Sequence, residues 1–360
     1  MNFYELFPVK KEYVYLNTAS TGPIPLTTYK RLQNLLNQLL LEGDVPFSCV
    51  KDEAQKVKKH LAELLDCKPS EIGLCKNTSH GLFIALTMLP DRKNKKLIVQ
   101  EDAFPVLKAV ARFSNYEIKL CDLRKTPIKA LKETLDKNVV AVVVDWVHFY
   151  KGYVLNLKEV GDFLKERDIY FIVDGIQGAG IVPISLDSLK VDFFVAGSSK
   201  WLLGGEGMGF LYIKEDTFKK LKKNYGGWLS YEWKDFYSLN EFPMLRQNAS
   251  IIEEGTYNIF GMFALSESLK LLCKIGIKNI YAKVKELVTY LRDKLEEFEV
   301  EPKDNELPSG IVAFRCSDSE KLFEKLKANK IIVSLREGFI RVSPHFFNEK
   351  EEIDKLVSFI

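Results

Sequence analysis

The chain has 360 residues, 46% hydrophobic and 12% aromatic, enough apolar mass for a substantial core and about two domains. Lysine and arginine total 52 against 49 aspartates and glutamates, and a net charge of +3 argues against a nucleic-acid binder, an acidic tail or a polybasic membrane anchor. Six scattered cysteines (Cys49, Cys67, Cys75, Cys121, Cys273, Cys316) form no C-x-x-C pair; this gives no metal or redox signal and suits a reducing, cytoplasmic setting.

The stretch Asn2–Pro8 carries an early acid, Glu5, and no long apolar run, so it does not read as a signal peptide. The most apolar run, 139–144, is too short to cross a bilayer. Short runs rich in Val, Ile and Phe predict seven strands at 72–75, 96–100, 116–121, 139–144, 169–173, 191–196 and 209–213. Helical spacing predicts helices at 79–88, 105–113 and 157–167 between them. This alternation implies an α/β layered domain with a mostly parallel seven-stranded sheet and ligands at the carboxyl ends of the strands. After about residue 255 the pattern changes to two long helices, 257–275 and 277–298. A strand near 310–315, a helix at 319–328, strands at 331–335 and 339–342, and a helix from Asn348 follow. The expected division is an N-terminal segment 1–20, a large domain 21–255 and a smaller α+β domain 256–360, with no repeat or flexible linker.

The chemistry gathers at predicted strand ends. Asp174 ends one strand, and Gly197-Ser198-Ser199-Lys200 forms a small-residue turn after the next. Taken singly, the first is a common turn residue and the second an ordinary surface lysine. Together they are what pyridoxal phosphate requires: a carboxylate that keeps the pyridine nitrogen protonated and an amine that holds the aldehyde as a Schiff base. Asn77-Thr78-Ser79 opens a helix, where hydroxyls and free N–H groups bind phosphate or simply cap the helix. Ser198 and Ser199 offer further hydroxyls. Phe104 is placed to stack on a ring or to fill a core. His148 is placed equally well to bond a cofactor or to be a satisfied structural histidine. Arg341 can grip a carboxylate, with Arg336 as its nearby competitor. His80 is assigned nothing. The glycines at 205–209 lack the helix and distant acid of a dinucleotide loop.

These residues, with Tyr15-Leu16-Asn17-Thr18-Ala19-Ser20-Thr21-Gly22-Pro23, Asp174-Gly175-Ile176-Gln177-Gly178-Ala179-Gly180, Glu254-Gly255-Thr256 and Arg341-Val342-Ser343-Pro344-His345, resemble the class V aminotransferase family of fold-type I pyridoxal phosphate enzymes. That family includes cysteine desulfurases, kynureninases, isopenicillin-N-epimerase-like proteins and several aminotransferases. The resemblance implies catalytic roles for Lys200 and Asp174. It implies cofactor contacts from Thr78, Ser79, Phe104, His148, Gln177 and Ser199, with Gln177 near the phenolic oxygen. It implies substrate contacts from Arg341, at the α-carboxylate, and from Asn17. Thr256 would reach the partner subunit's phosphate in a homodimer with composite sites. No metal is implied.

Three departures bear on the subfamily. The segment Ser334–Arg341 holds no cysteine and is too short for the desulfurase loop. Gln177 stands where kynureninases usually carry His. Ser199 stands where desulfurases carry His before the lysine. The leading reading is a cytoplasmic aminotransferase acting on an amino acid and a 2-oxo acid, with neither nucleic acid nor membrane as partner. The alternatives are a lyase on the same scaffold and a cofactor-binding regulator without turnover.

Overall fold

The structure, a computed structural model, describes residues 2–90, 95–233, 243–304 and 306–360. Helix α1 (Phe3–Leu6) leads into strand β1 (Val14–Tyr15) and two long helices, α2 (Leu26–Glu42) and α3 (Phe47–Leu65). The alternating part runs β2 (Ile72–Cys75), α4 (Thr78–Met88), β3 (Lys96–Gln100), α5 (Val106–Phe113), β4 (Glu117–Cys121), α6 (Pro127–Thr134), β5 (Val139–Asp145), α7 (Leu157–Lys165), β6 (Tyr170–Asp174), β7 (Phe193–Gly197) and β8 (Gly209–Ile213). Then come α8 (Glu215–Phe218), α9 (Ile259–Ile275), α10 (Ile277–Asp293), β9 (Glu299–Glu301), β10 (Val312–Arg315), α11 (Ser319–Ala328), β11 (Ile331–Ile332), β12 (Ser334–Arg336), β13 (Phe339–Val342) and α12 (Lys350–Val357).

The central sheet has the order β2-β8-β7-β6-β5-β3-β4. Only β8 runs against its neighbours; the other pairs are parallel. Every residue of β5, β6, β7 and β8 is buried, as helices on both faces of a parallel sheet require. The strand order reverses between β3 and β5, because β4 lies outside β3 and β5 returns on its other side. A crevice opens at such a reversal beyond the carboxyl ends of the strands. Asp145 and Asp174 end their strands at this edge, and Lys200 follows β7 there.

A second sheet has the antiparallel order β12-β13-β10-β9. β1 pairs in parallel with β11, and Asn17 bridges to Ser343, so the N-terminal stretch packs on C-terminal strands. The predicted strand 331–335 is two short strands separated by Val333, and the helix predicted to 298 ends at Asp293 before the edge strand β9. Among the described residues no helix is long and apolar enough to cross a membrane, and no cluster of His, Cys, Asp and Glu could hold a metal.

Candidate active site

The turn carrying Lys200 is built by its neighbours. The Ser198 hydroxyl donates to the carbonyls of Gly205 (2.6 Å) and Met208 (2.9 Å). Its one proton is therefore committed to the turn and is not available to an anion. Gly22 donates its N–H to the Ser199 carbonyl at 2.7 Å. A Cβ at Gly22 would stand 2.1 Å from the Lys200 carbonyl oxygen, so the N-terminal motif needs glycine there. Lys200 Nζ lies 5.9 Å from the centroid of the Phe104 ring. Burial pulls its amine down to about 8, against the opposing pull of Asp174.

Asp174 is buried at the end of β6, where its Oδ1 accepts from the Ile176 N–H at 2.9 Å. Burial pushes its carboxyl up to about 6, while that hydrogen bond and Lys200 pull it down. Gly175 follows because a Cβ would meet the Phe194 ring at 1.9 Å. Gln177 is fixed at both ends: Nε2 donates to the Ala19 carbonyl (3.0 Å), and Oε1 accepts from the Trp201 indole (2.9 Å). One Nε2 hydrogen remains to donate elsewhere.

At the other end of the crevice Asn77 caps α4, its Oδ1 accepting from His80 N at 2.9 Å. Thr78 Oγ1 accepts from Gly197 N at 3.0 Å, which ties the helix start to the end of β7. Ser79 is exposed in the same first turn, and Ser199 is half-buried beside Lys200. The positive end of the α4 dipole thus sits beside the lysine turn, a setting for an anion. Phe104 is 45% exposed and packs edge-on against Phe149.

Arg341 is buried on β13. Its Nη1 donates to the Phe149 carbonyl (2.6 Å), and its Nη2 donates to the Ser20 (2.5 Å) and Ser334 (3.2 Å) hydroxyls. Its Nε has no partner, and no acid lies within ion-pair distance among the described residues. Burial, then Arg336, pulls the guanidinium down to about 9. Asn17 Oδ1 accepts from the Ser334 hydroxyl at 2.6 Å, which places Asn17 one residue removed from Arg341. Sequence reasoning missed Ser20, Ser334 and Trp201. Ser334 was legible as the residue opposite Arg341 in the hairpin, and Ser20 lies in the Tyr15–Pro23 motif without a role of its own, whereas nothing local marks Trp201. Arg336 is exposed, and the turn between it and Arg341 holds only Glu337 and Gly338, both at positive φ (51° and 76°). That is a two-residue hairpin turn with no room for a cysteine loop.

His148 is fully buried, its Nε2 lies 2.9 Å from the Asp102 carbonyl, and its Nδ1 accepts from Lys151 N at 3.1 Å. Burial pulls it down to about 4. Both nitrogens serve the protein, which favours the structural reading of this histidine over the cofactor contact. Thr256 is exposed and lines a cavity of about 240 Å³ with Lys76, His80, Glu254 and Asn258. There the His80 ring faces the Tyr225 hydroxyl (2.7 Å), which donates to Glu254 (2.5 Å).

The family model for aminotransferase class-V matches residues 14–356. An uncharacterized aminotransferase, YcbU, of Bacillus subtilis (strain 168) is 25% identical over 97% of this chain and 94% of its own. Isopenicillin N epimerase of Streptomyces clavuligerus is 24% identical over 95% and 93%. The structure of the cystine C–S lyase C-DES with its product cysteine persulfide superposes with a TM-score of 0.88 at 20% identity, covering 98% of both chains, and so shares the fold.

Proposed function

The chain belongs to the class-V aminotransferase family of pyridoxal-phosphate-dependent enzymes, and from that premise we propose that it transfers an amino group between an amino acid and a 2-oxo acid. The observation that carries the reading is a buried guanidinium without an acidic partner, close enough to Lys200 to depress its amine, beside a buried carboxylate that raises it.

The residues fit the cofactor. Lys200 would hold it through its aldehyde, Asp174 would face the pyridine nitrogen, Phe104 would cover the ring, and Thr78, Ser79 and Ser199 would take the phosphate at the α4 N-terminus. Bound pyridoxal phosphate supplies a ring that accepts the electrons left when a bond at the substrate Cα breaks. Arg341 binds the substrate carboxylate, with Ser20, Ser334 and the Phe149 carbonyl fixing the fork. Lys200 would also move the proton at the substrate Cα, for which an amine near pH 8 is suited. Six free cysteines suit a cytoplasmic location. A homodimer is supported by α2, whose Tyr29, Leu36 and Leu40 form one exposed apolar stripe.

The test is a half-reaction. Amino acids added without an acceptor should convert the bound cofactor to pyridoxamine phosphate, and a 2-oxo acid should reverse this. Ammonia, alanine or sulfide released without an acceptor would establish a lyase instead.

A further inference from the structure

Asp145 ends β5 and is the register partner of Asp174 on β6. Paired Cα atoms lie about 4.8 Å apart with side chains on one face, so the two carboxyls are neighbours. Both are buried, at 4% and 2% exposure. Asp145 Oδ2 accepts the backbone N–H of Phe104 at 2.8 Å. Its own N–H donates to Gln100 Oε1 (3.1 Å), and Gln100 Nε2 donates to the Tyr153 hydroxyl (2.9 Å) and to Asp102 Oδ1 (3.1 Å). Asp145 Oδ1 is buried with no partner among the described residues. On an ionised carboxylate such an oxygen is costly; on a neutral carboxyl it carries the proton.

We propose that Asp145 is a positioning residue of the cofactor site: it stays uncharged beside Asp174, clamps the backbone of Phe104 over Lys200, and confines the two carboxyls to one negative charge. This rests on the reading that Asp174 faces the pyridine nitrogen, since a single negative charge is what one protonated nitrogen balances. The charged groups acting on Asp145 are Asp174 on β6, Asp102 after β3 and Lys200 after β7. Burial raises its carboxyl well above the ordinary value and Asp174 adds to this, while the Phe104 hydrogen bond and Lys200 oppose it. Adjacent buried carboxyls do not both ionise, and Asp145 is the member with an unpartnered oxygen and a second acid, Asp102, acting on it.

Infrared difference spectra of the holoenzyme near neutral pH read this proton without turnover. Wild type minus Asp145→Asn should show one protonated-carboxyl band that shifts in heavy water, and wild type minus Asp174→Asn should show none. Cofactor affinity is the second readout. Asp145→Asn still accepts from Phe104 without charge and should bind pyridoxal phosphate within about threefold of wild type, while Asp145→Ala should bind about tenfold more weakly, the size of one lost hydrogen bond. Absence of the Asp145 band, its appearance with Asp174→Asn instead, or equal weakness of the Asn and Ala variants overturns the proposal. Full turnover by Asp174→Asn would sink the reading of Asp174 itself and leaves the Asp145 band to be judged on its own spectrum.

Discussion

At Lys200 two effects oppose each other. Burial favours the neutral amine, Asp174 favours the ammonium, and the balance is near pH 8 instead of the ordinary 10.5. The neutral amine captures an aldehyde, so capture of pyridoxal phosphate by apoenzyme should rise through pH 8. Removing the negative charge in Asp174→Asn removes the raising influence, so the midpoint should move to lower pH. Stopped-flow absorbance across pH checks this; a midpoint near 10, or an upward shift in the variant, would contradict it. Asp174→Asn should keep its cofactor yet lose most of kcat. Arg341→Lys should cost on the order of 2–4 kcal/mol in kcat/KM, because a point charge cannot replace the fork. An unaltered KM for the amino acid, or an equal defect in Arg336→Lys, would count against Arg341. The motif residues Lys200, Asp174 and Arg341 were readable because each follows or lies on a strand that its own neighbours predict. The setting of His148 was not readable: its two partners come from residue 102 and from its own turn, and no sequence pattern says which way a ring faces.

The buried pair Lys58–Glu253 (2.6 Å) joins α3 to the segment before Thr256. Glu253 also accepts from Leu74 N (3.1 Å) and the Tyr257 hydroxyl (2.5 Å), and Lys58 donates to Ser250 (2.8 Å). Lys58→Met should destabilise by about 3–5 kcal/mol by stranding a buried carboxylate, and Lys58→Met with Glu253→Gln should recover part of that. Urea unfolding midpoints decide; a loss below about 1 kcal/mol would mean the pair is solvated. The seven sheet strands were legible because burial on both faces leaves near-continuous apolar runs. α2 and α3 were not anticipated. Their starts after Pro25 and Pro46 and the stop at Gly43 (φ 78°) are visible signals, but their partly exposed faces weaken the apolar period. β9 was missed because an edge strand of three residues carries almost no pattern.

At the scale of the whole molecule, a homodimer with two composite sites is expected. Lys200→Ala and Thr256→Trp are each expected to be inactive alone. If Thr256 serves the opposite subunit's cofactor, mixing them places both defects in one site and frees the other. Activity should then return toward half of wild type per heterodimer. Inactive mixtures of proteins shown to exchange subunits would place Thr256 in its own subunit's site, and a fully active monomer by light scattering would end the dimer reading.

All of these roles depend on Lys200 holding the cofactor. Borohydride reduction of the holoenzyme, followed by peptide mass spectrometry, tests it most directly. A single pyridoxyl label on Lys200 and none in Lys200→Ala is the expected result; a label on another lysine, or a reducible adduct that persists in Lys200→Ala, would contradict it.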